Sequence, residues 1–278
     1  MSLPPVPDAF HWTQESWGAA LRCRPLEAIA PHLFTTRQLR LSSAADLRQL
    51  AAAVGADEVA MVTQVHGASV HVVRASQVRA SRPPSRGASA PKPPTRDASA
   101  PKPEADVLVS NDPATAVAIR AADCVPLLLA DRATGTVAAV HAGWRGTAAR
   151  AAVAALDAMT REFGTRPADV VAAIGPSIGV CCYEVGPELV DAFAAAGHER
   201  HLIDRWFTAR PAPRGSRARA SLRLDVAGAN RDQLILAGVA EANVHLAGVC
   251  TAMHLDVLTS FRAEREHAGR LAGVICSR

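Results

Sequence analysis

Short apolar runs separated by polar or glycine-containing turns dominate the middle of the chain. The runs at 116–120, 125–130 and 136–140 are too brief for stable helices and read as strands, and 131–135 supplies the turn between the last two. Runs at 59–65 and 70–74 flank His66-Gly67-Ala68-Ser69, a pattern that predicts a hairpin. From 145 to 163 the period changes. Alanine-rich sequence carries Leu156, Met159 and Phe163 at helical spacing, and Gly164 follows as a stop. Pro187 opens a second helix that ends at Gly197, Asp225 caps a third that runs to Gly238, and strands return at 244–250 and 271–276. Mixed elements with close hairpins argue against a purely parallel sheet. The expected class is mixed α/β: layered mixed sheets flanked by helices, in one domain over 1–278.

Two segments break this pattern. SRGASAPKPP (85–94) is followed at once by TRDASAPKPE (95–104), a near-perfect repeat rich in proline, alanine and serine. Such sequence cannot bury a core, so 79–105 is expected to be a disordered insertion within the domain. The basic stretch 210–220 reads as a loop.

Composition narrows the function classes. The 278 residues are 49% hydrophobic and 20% charged, as in a globular protein. No apolar run is long enough to cross a bilayer, and the N-terminal stretch lacks a basic start followed by an apolar core. The expectation is a cytoplasmic protein, monomer or homodimer, without a membrane partner. Its six cysteines are then expected to be reduced, with Cys23 and Cys276 as buried thiols. A net charge of +4 with only 4% aromatics gives no footprint for nucleic acid. Small molecules remain as partners.

The chemistry concentrates at strand ends. VAAVHAGWRGT (137–147) runs from a buried strand through His141 into a glycine turn and a helix. That junction aims backbone N–H groups at one spot, and Arg145 adds a fork of donors suited to phosphate or carboxylate. Packing of Trp144 and a salt bridge of Arg145 is the plainer reading of the same residues. In AADCVPLLLAD, Cys124 begins the strand that hairpins into the one ending at His141, so the two are neighbours. QVHG places His66 at a further strand end. Two histidines and a thiolate leave a fourth coordination position open, the pattern of a catalytic zinc, which brings the pKa of its water to about 7. The same set suits copper, and Cys124 with His141 alone would suit a nucleophile–base dyad. IGPSIGVCCYEVGPE (174–188) reads as a pocket wall. Its adjacent Cys181 and Cys182 face different ways on extended chain and argue against a second metal site. Asp225 and Asn230 read as a cap and a surface decoration, and Arg262 or Arg265 as anion contacts or plain surface.

Taken in order, QVHG, ADCVPLLLAD, HAGWRGT, IGPSIGVCCYEVG, LDVAGANRDQLILAGV and CTAMH…SFR…GR resemble the laccase-domain, or multicopper polyphenol oxidase-like, family of the YfiH and YlmD type. The resemblance extends from about Val59 to the C-terminus. It implies a layered α/β fold likened to cysteine hydrolases, and metal ligands at His66, Cys124 and His141. It implies zinc-dependent purine nucleoside phosphorylase activity on adenosine, inosine and methylthioadenosine with phosphate, together with adenosine deamination. Copper-dependent polyphenol oxidation and a Cys-His hydrolase are the rival readings; for the oxidase, the ten histidines include no HxH pair. On the family reading Cys124, His141 and Arg145 carry the chemistry. Gly143, Trp144, Arg145, Gly146 and Tyr183 bind substrate, the two aromatics as stacking surfaces for the base. Glu184 and Asp123 are candidates for moving protons. The C-terminal motif departs from the family: Met253 replaces a cysteine, Leu258-Thr259 replaces two aromatics, and Ala263 follows Arg262.

Overall fold

A computed structural model describes residues 2–75, 102–210 and 221–278. Most of the proposed insertion, 76–101, and the loop sequence 211–220 lie outside the described residues. Two six-stranded mixed sheets form the centre. The first runs in the order Phe10–Glu15, Gly18–Cys23, His32–Thr35, Leu271–Ile275, Thr115–Ala121, Glu58–Ala60. The second runs Val244–Leu246, Val170–Ile174, Val125–Asp131, Val137–Ala142, Val107–Ser110, Val70–Val73. A small third sheet joins Glu184–Val185, Ser221–Leu224 and Phe207–Arg210.

Strand alternation decides how these layers stack. In Val125–Asp131, Leu127 and Leu129 join one buried cluster while Leu128 and Ala130 join another. The first cluster packs against helices Ala151–Phe163 and Val226–Leu236 through Ala155, Leu156, Met159, Ala229 and Leu234. The second lies between the sheets, where Leu128, Val137 and Ala139 meet Leu21, Phe34, Val117 and Ile119. Both faces of the strand are covered, so all seven of its residues are buried. Leu50 and Val54, on and just beyond helix Ala44–Ala53, cover the outer face of the first sheet with Leu33, Ala118 and Val274. Ser43 starts that helix with a reciprocal capping box to Asp46. The arrangement is therefore helix, sheet, sheet, helices, in agreement with the layered mixed α/β expectation.

Three expected elements differ. The runs at 59–65 and 70–74 do not form a hairpin. Glu58–Ala60 pairs in parallel with Thr115–Ala121 in the first sheet, and Val70–Val73 pairs in parallel with Val107–Ser110 in the second. The QVHG turn carries the chain from one sheet to the other. The expected helix over 145–163 is two helices, Trp144–Ala148 and Ala151–Phe163, broken at Arg150 in the left-handed region (φ 58°). The Arg150 guanidinium donates to the carbonyls of Ala196 and Gly197 at 2.8 and 2.9 Å, capping the end of helix Glu188–Ala195 and offsetting the strained backbone. The strand expected over 244–250 stops at Leu246, and Cys250 makes only an isolated bridge to Ser177. The last residues of the segment expected to be disordered are ordered: Thr63 donates to Pro103 O, and Ala105 donates back to Thr63 O.

Candidate metal centre and its cavity

His141 is the penultimate residue of its strand and continues the parity of Val137 and Ala139, so it faces the space between the sheets where they part. Cys124 immediately precedes the paired strand, in which Pro126 sits opposite His141. His66 arrives from the crossover turn in a left-handed conformation (φ 63°). The possible ligand atoms of His66, Cys124 and His141 lie within 4.8 Å of one another, and the two imidazoles stand edge to face with centroids 4.9 Å apart. The structure thus brings together the three residues singled out from separate strand ends.

Asp106, which sequence reasoning missed, holds them there. It is fully buried and immediately precedes the strand Val107–Ser110. Its carboxylate accepts from the backbone N–H groups of Val65, His66 and Gly67 at 3.3, 3.0 and 2.6 Å, which fixes the crossover turn. It also accepts from His141 Nδ1 at 2.8 Å. In the neutral ring that bond keeps the proton on Nδ1 and leaves Nε2 as the nitrogen a metal ion would take. The one available signal was an acidic residue just ahead of the apolar run VLVS, where the repeat ends.

The glycines of the HAGWRG turn are required by close approach. A Cβ on Gly143 would sit 2.8 Å from Cys124 Sγ and 3.5 Å from His66 Cδ2. A Cβ on Gly146 would sit 3.0 Å from the carbonyl oxygen of Gly67. Gly146 therefore packs the short helix onto the QVHG turn and does not line the cavity. Asn230 is fully buried instead of decorating a surface. It donates to Thr147 Oγ1, and Gln233 donates to Thr147 O, so the helix Val226–Leu236 clamps the same turn.

Charges reinforce one another within the cluster. Burial would raise the Cys124 thiol, but hydrogen bonds from His141 and His66 outweigh it and bring the pKa down to about 7. Burial would lower His141, yet its bonds to Asp106 and Cys124 raise it to about 9. Three soft-to-borderline donors around one point, with a backbone kept clear by Gly143 and a carboxylate orienting one imidazole, fit a divalent transition-metal ion.

A cavity of about 730 Å³ opens above these three candidate ligands. Gly143, Trp144, Arg145 and Tyr183, four of the residues singled out from the sequence, line it. Its charge comes mainly from side chains: Arg145, Arg262 and Arg265 are joined by Lys102, Arg120 and Arg270, which sequence reasoning had not singled out. The helix Trp144–Ala148 is a single turn, so its dipole is a minor part of this field. Arg145 lies over the Trp144 ring at 4.4 Å, and Arg262 over Tyr183 at 5.3 Å. Asp123 (φ 89°) lines the cavity with both oxygens engaged, accepting from Thr251 Oγ1 and from the Arg262 N–H, each at 2.6 Å. The Glu184 carboxylate lies 3.5 Å from Arg223, and Glu184 lines an adjoining cavity, away from the ligands. The divergent C-terminal motif still builds a wall. Buried Thr259 donates to Glu264, whose carboxylate also accepts from the Ser260 N–H, and this turn presents Phe261, Arg262 and Arg265.

Residues 37–278 match the family model described as multi-copper polyphenol oxidoreductase laccase. The chain belongs to this laccase-like family. Among its relatives, a purine nucleoside phosphorylase of Deinococcus radiodurans is 34% identical over 265 residues, 88% of each chain. A purine nucleoside phosphorylase of Bacteroides thetaiotaomicron is 39% identical over 171 residues, 61% of this chain and 60% of that one. An adenosine deaminase named RL5, from an unknown prokaryotic organism, is 36% identical over 165 residues, 59% of each. The crystal structure of YlmD from Geobacillus stearothermophilus superimposes with a TM-score of 0.74 at 26% identity, covering 98% of this chain and 100% of that one. The YfiH-like fold anticipated from the motifs is the fold of this laccase-like member.

Proposed function

We propose that the chain is a zinc-dependent purine nucleoside phosphorylase that cleaves adenosine, inosine and methylthioadenosine to the free base and ribose 1-phosphate. The observation that carries this reading is the junction of His66, Cys124 and His141 with a cavity whose walls supply six cations and three aromatic side chains. Phosphorolysis needs an anion bound beside a flat, uncharged base, and cationic and aromatic walls would suit the two. Zinc held by the three residues would supply Lewis-acid chemistry at the cavity floor. Arg145 is the guanidinium nearest in sequence to the ligand turn, and with Arg120 and Arg270 it would orient phosphate and stabilise the charge that shifts as the glycosidic bond breaks. Trp144 and Tyr183 would sandwich the base. Burial, with the Cys124 charge next in size, pushes the Tyr183 phenol up to about 12, so it remains a neutral donor for a base nitrogen or ribose hydroxyl. Asp123 would act as a positioning residue, fixing the Arg262 backbone and Thr251 at the rim. Adenosine deamination, as named for the RL5 relative, would use the same base-binding walls.

The test is product identification on adenosine, inosine and methylthioadenosine with and without phosphate, together with metal content. Release of ribose 1-phosphate that requires phosphate supports the reading, and base release independent of phosphate sinks it. The same samples assayed for dye oxidation with copper address the oxidase alternative. A second reading has its own observation. Asp106, His141 and Cys124 form a carboxylate–imidazole–thiolate relay of the kind used by cysteine hydrolases. The two readings separate at His66, which a hydrolase relay does not use. Under the hydrolase reading a His66→Ala variant stays active, and zinc inhibits.

A further inference from the structure

A second cluster of possible metal ligands, all sulfur, lies outside the lining of that cavity. Cys181 and Cys182 were expected to diverge on extended chain. They sit instead in a tight turn, closed by the N–H groups of Cys182 and Tyr183 donating to Gly179 O at 2.9 Å each. Cys250 reaches the same place from the isolated bridge with Ser177, which is flanked by hydrogen bonds from Ser177 N to Val249 O and from Thr251 N to Ser177 O. The three sulfur atoms lie within 4.8 Å of one another, with Cys181 exposed, Cys182 half-buried and Cys250 buried. We infer that Cys181, Cys182 and Cys250 form a second metal site, selective for a soft, thiophilic monovalent cation of the Cu(I) class.

Three observations carry this. The spacing is nearly that of an occupied site: sulfurs about 2.3 Å from a common ion sit about 4 Å from one another in a three-coordinate arrangement, so closing needs less than about 1 Å. The donor set is all sulfur, without a histidine or carboxylate in the group among the described residues, and thiolates select soft ions over hard ones. The backbone is cut back to admit the sulfurs. A Cβ on Gly179 would lie 3.2 Å from Cys181 Sγ and 3.5 Å from Cys250 Sγ, while the Gly179 N–H donates to Cys250 Sγ at 3.2 Å. Gly179 is not at a positive φ, so close approach is the reason for its small size. A disulfide would use two of the sulfurs and leave the third, and the cleared backbone, without a purpose. Bound there, the ion fastens the turn that carries Tyr183 to the segment that carries Thr251.

The test is anaerobic titration of the full chain with Cu(I) against a competing chelator, followed by near-ultraviolet thiolate-to-metal absorption. The wild-type chain is expected to bind one equivalent that Cys181→Ser and Cys182→Ser each lose. Gly179→Ala, which keeps all three thiols, should weaken it by about tenfold or more. Cys124→Ser should retain that equivalent, which separates it from the His66, Cys124 and His141 centre. Equal Cu(I) uptake by the wild type and the Cys181→Ser and Cys182→Ser variants overturns the inference. So does recovery of the cluster as a disulfide that takes up no Cu(I) after reduction.

Discussion

Two histidines are buried almost alike, His32 at 0% exposure and His141 at 3%, yet the fold treats them in opposite ways. His32 Nδ1 lies 3.0 Å from Ala30 O, and its Nε2 accepts from the Cys23 N–H at 2.9 Å. Every polar atom of the ring is used, no carboxylate among the described residues pairs with it, and burial lowers its pKa to about 4. His141 has a buried carboxylate on one nitrogen and a thiol beside the other, and these outweigh burial to raise it to about 9. One imidazole is a neutral brace joining strands. The other is one corner of the candidate metal centre. What separates them is whether the atoms around the ring carry charge, because depth of burial is the same for both.

The contrast can be broken most severely at the cavity. Replacing His141 with alanine should reduce kcat/KM for nucleoside phosphorolysis by about a thousandfold or more and release the metal, both measured on the purified variant. A His141→Ala variant with wild-type turnover would reduce His141 to another structural histidine.

The next effect belongs to His32 and is one of stability. The unfolded chain protonates near 6.5 and the folded ring near 4, so the stabilising contribution is complete above pH 6.5 and drains away as pH falls toward 4. The slope is about 1.4 kcal/mol per pH unit, and about 3 kcal/mol is lost across that window. Denaturant melts from pH 7 to pH 4 measure it, and His32→Gln, although less stable throughout, should remove this part of the slope.

Asp106→Asn sharpens the comparison through the carboxylate that orients His141. It should weaken metal binding by about 10- to 100-fold, read by competition with a chelator, because one amide cannot accept from His141 and also receive three backbone N–H donors. Arg145→Ala should raise the KM for phosphate by about tenfold with a smaller change in the KM for nucleoside. The smallest expected effect is at Cys181. Cys181→Ser should leave phosphorolysis within about twofold of wild type, because its thiol is exposed and outside the cavity lining.

Much of the site was legible because its parts are local. Val125–Asp131 and Val137–Ala142 announce themselves as apolar runs with a tight turn between them, and antiparallel pairing alone puts Cys124 beside His141. His66 was legible as a candidate but not as a neighbour. Its turn looked like a hairpin because two apolar runs flanked it, and nothing local tells a hairpin from a crossover between sheets. The break at Arg150 was hidden for the same reason: its cause is a pair of carbonyls on another helix.

The amino-acid order by itself determined the strand–turn–helix units, the placement of Cys124 and His141 at neighbouring strand ends and of His66 in a glycine turn, and the layered α/β class. These follow from periodicity and glycine positions within a dozen residues of each other. Only the tertiary structure decided that Asp106 orients His141, that Asn230 and Gln233 clamp the ligand turn, that six cations face one cavity, and that Cys250 joins Cys181 and Cys182. Each of these depends on contacts between segments from about 35 to more than 80 residues apart, set when the hydrophobic faces of the two sheets and their helices close on one another.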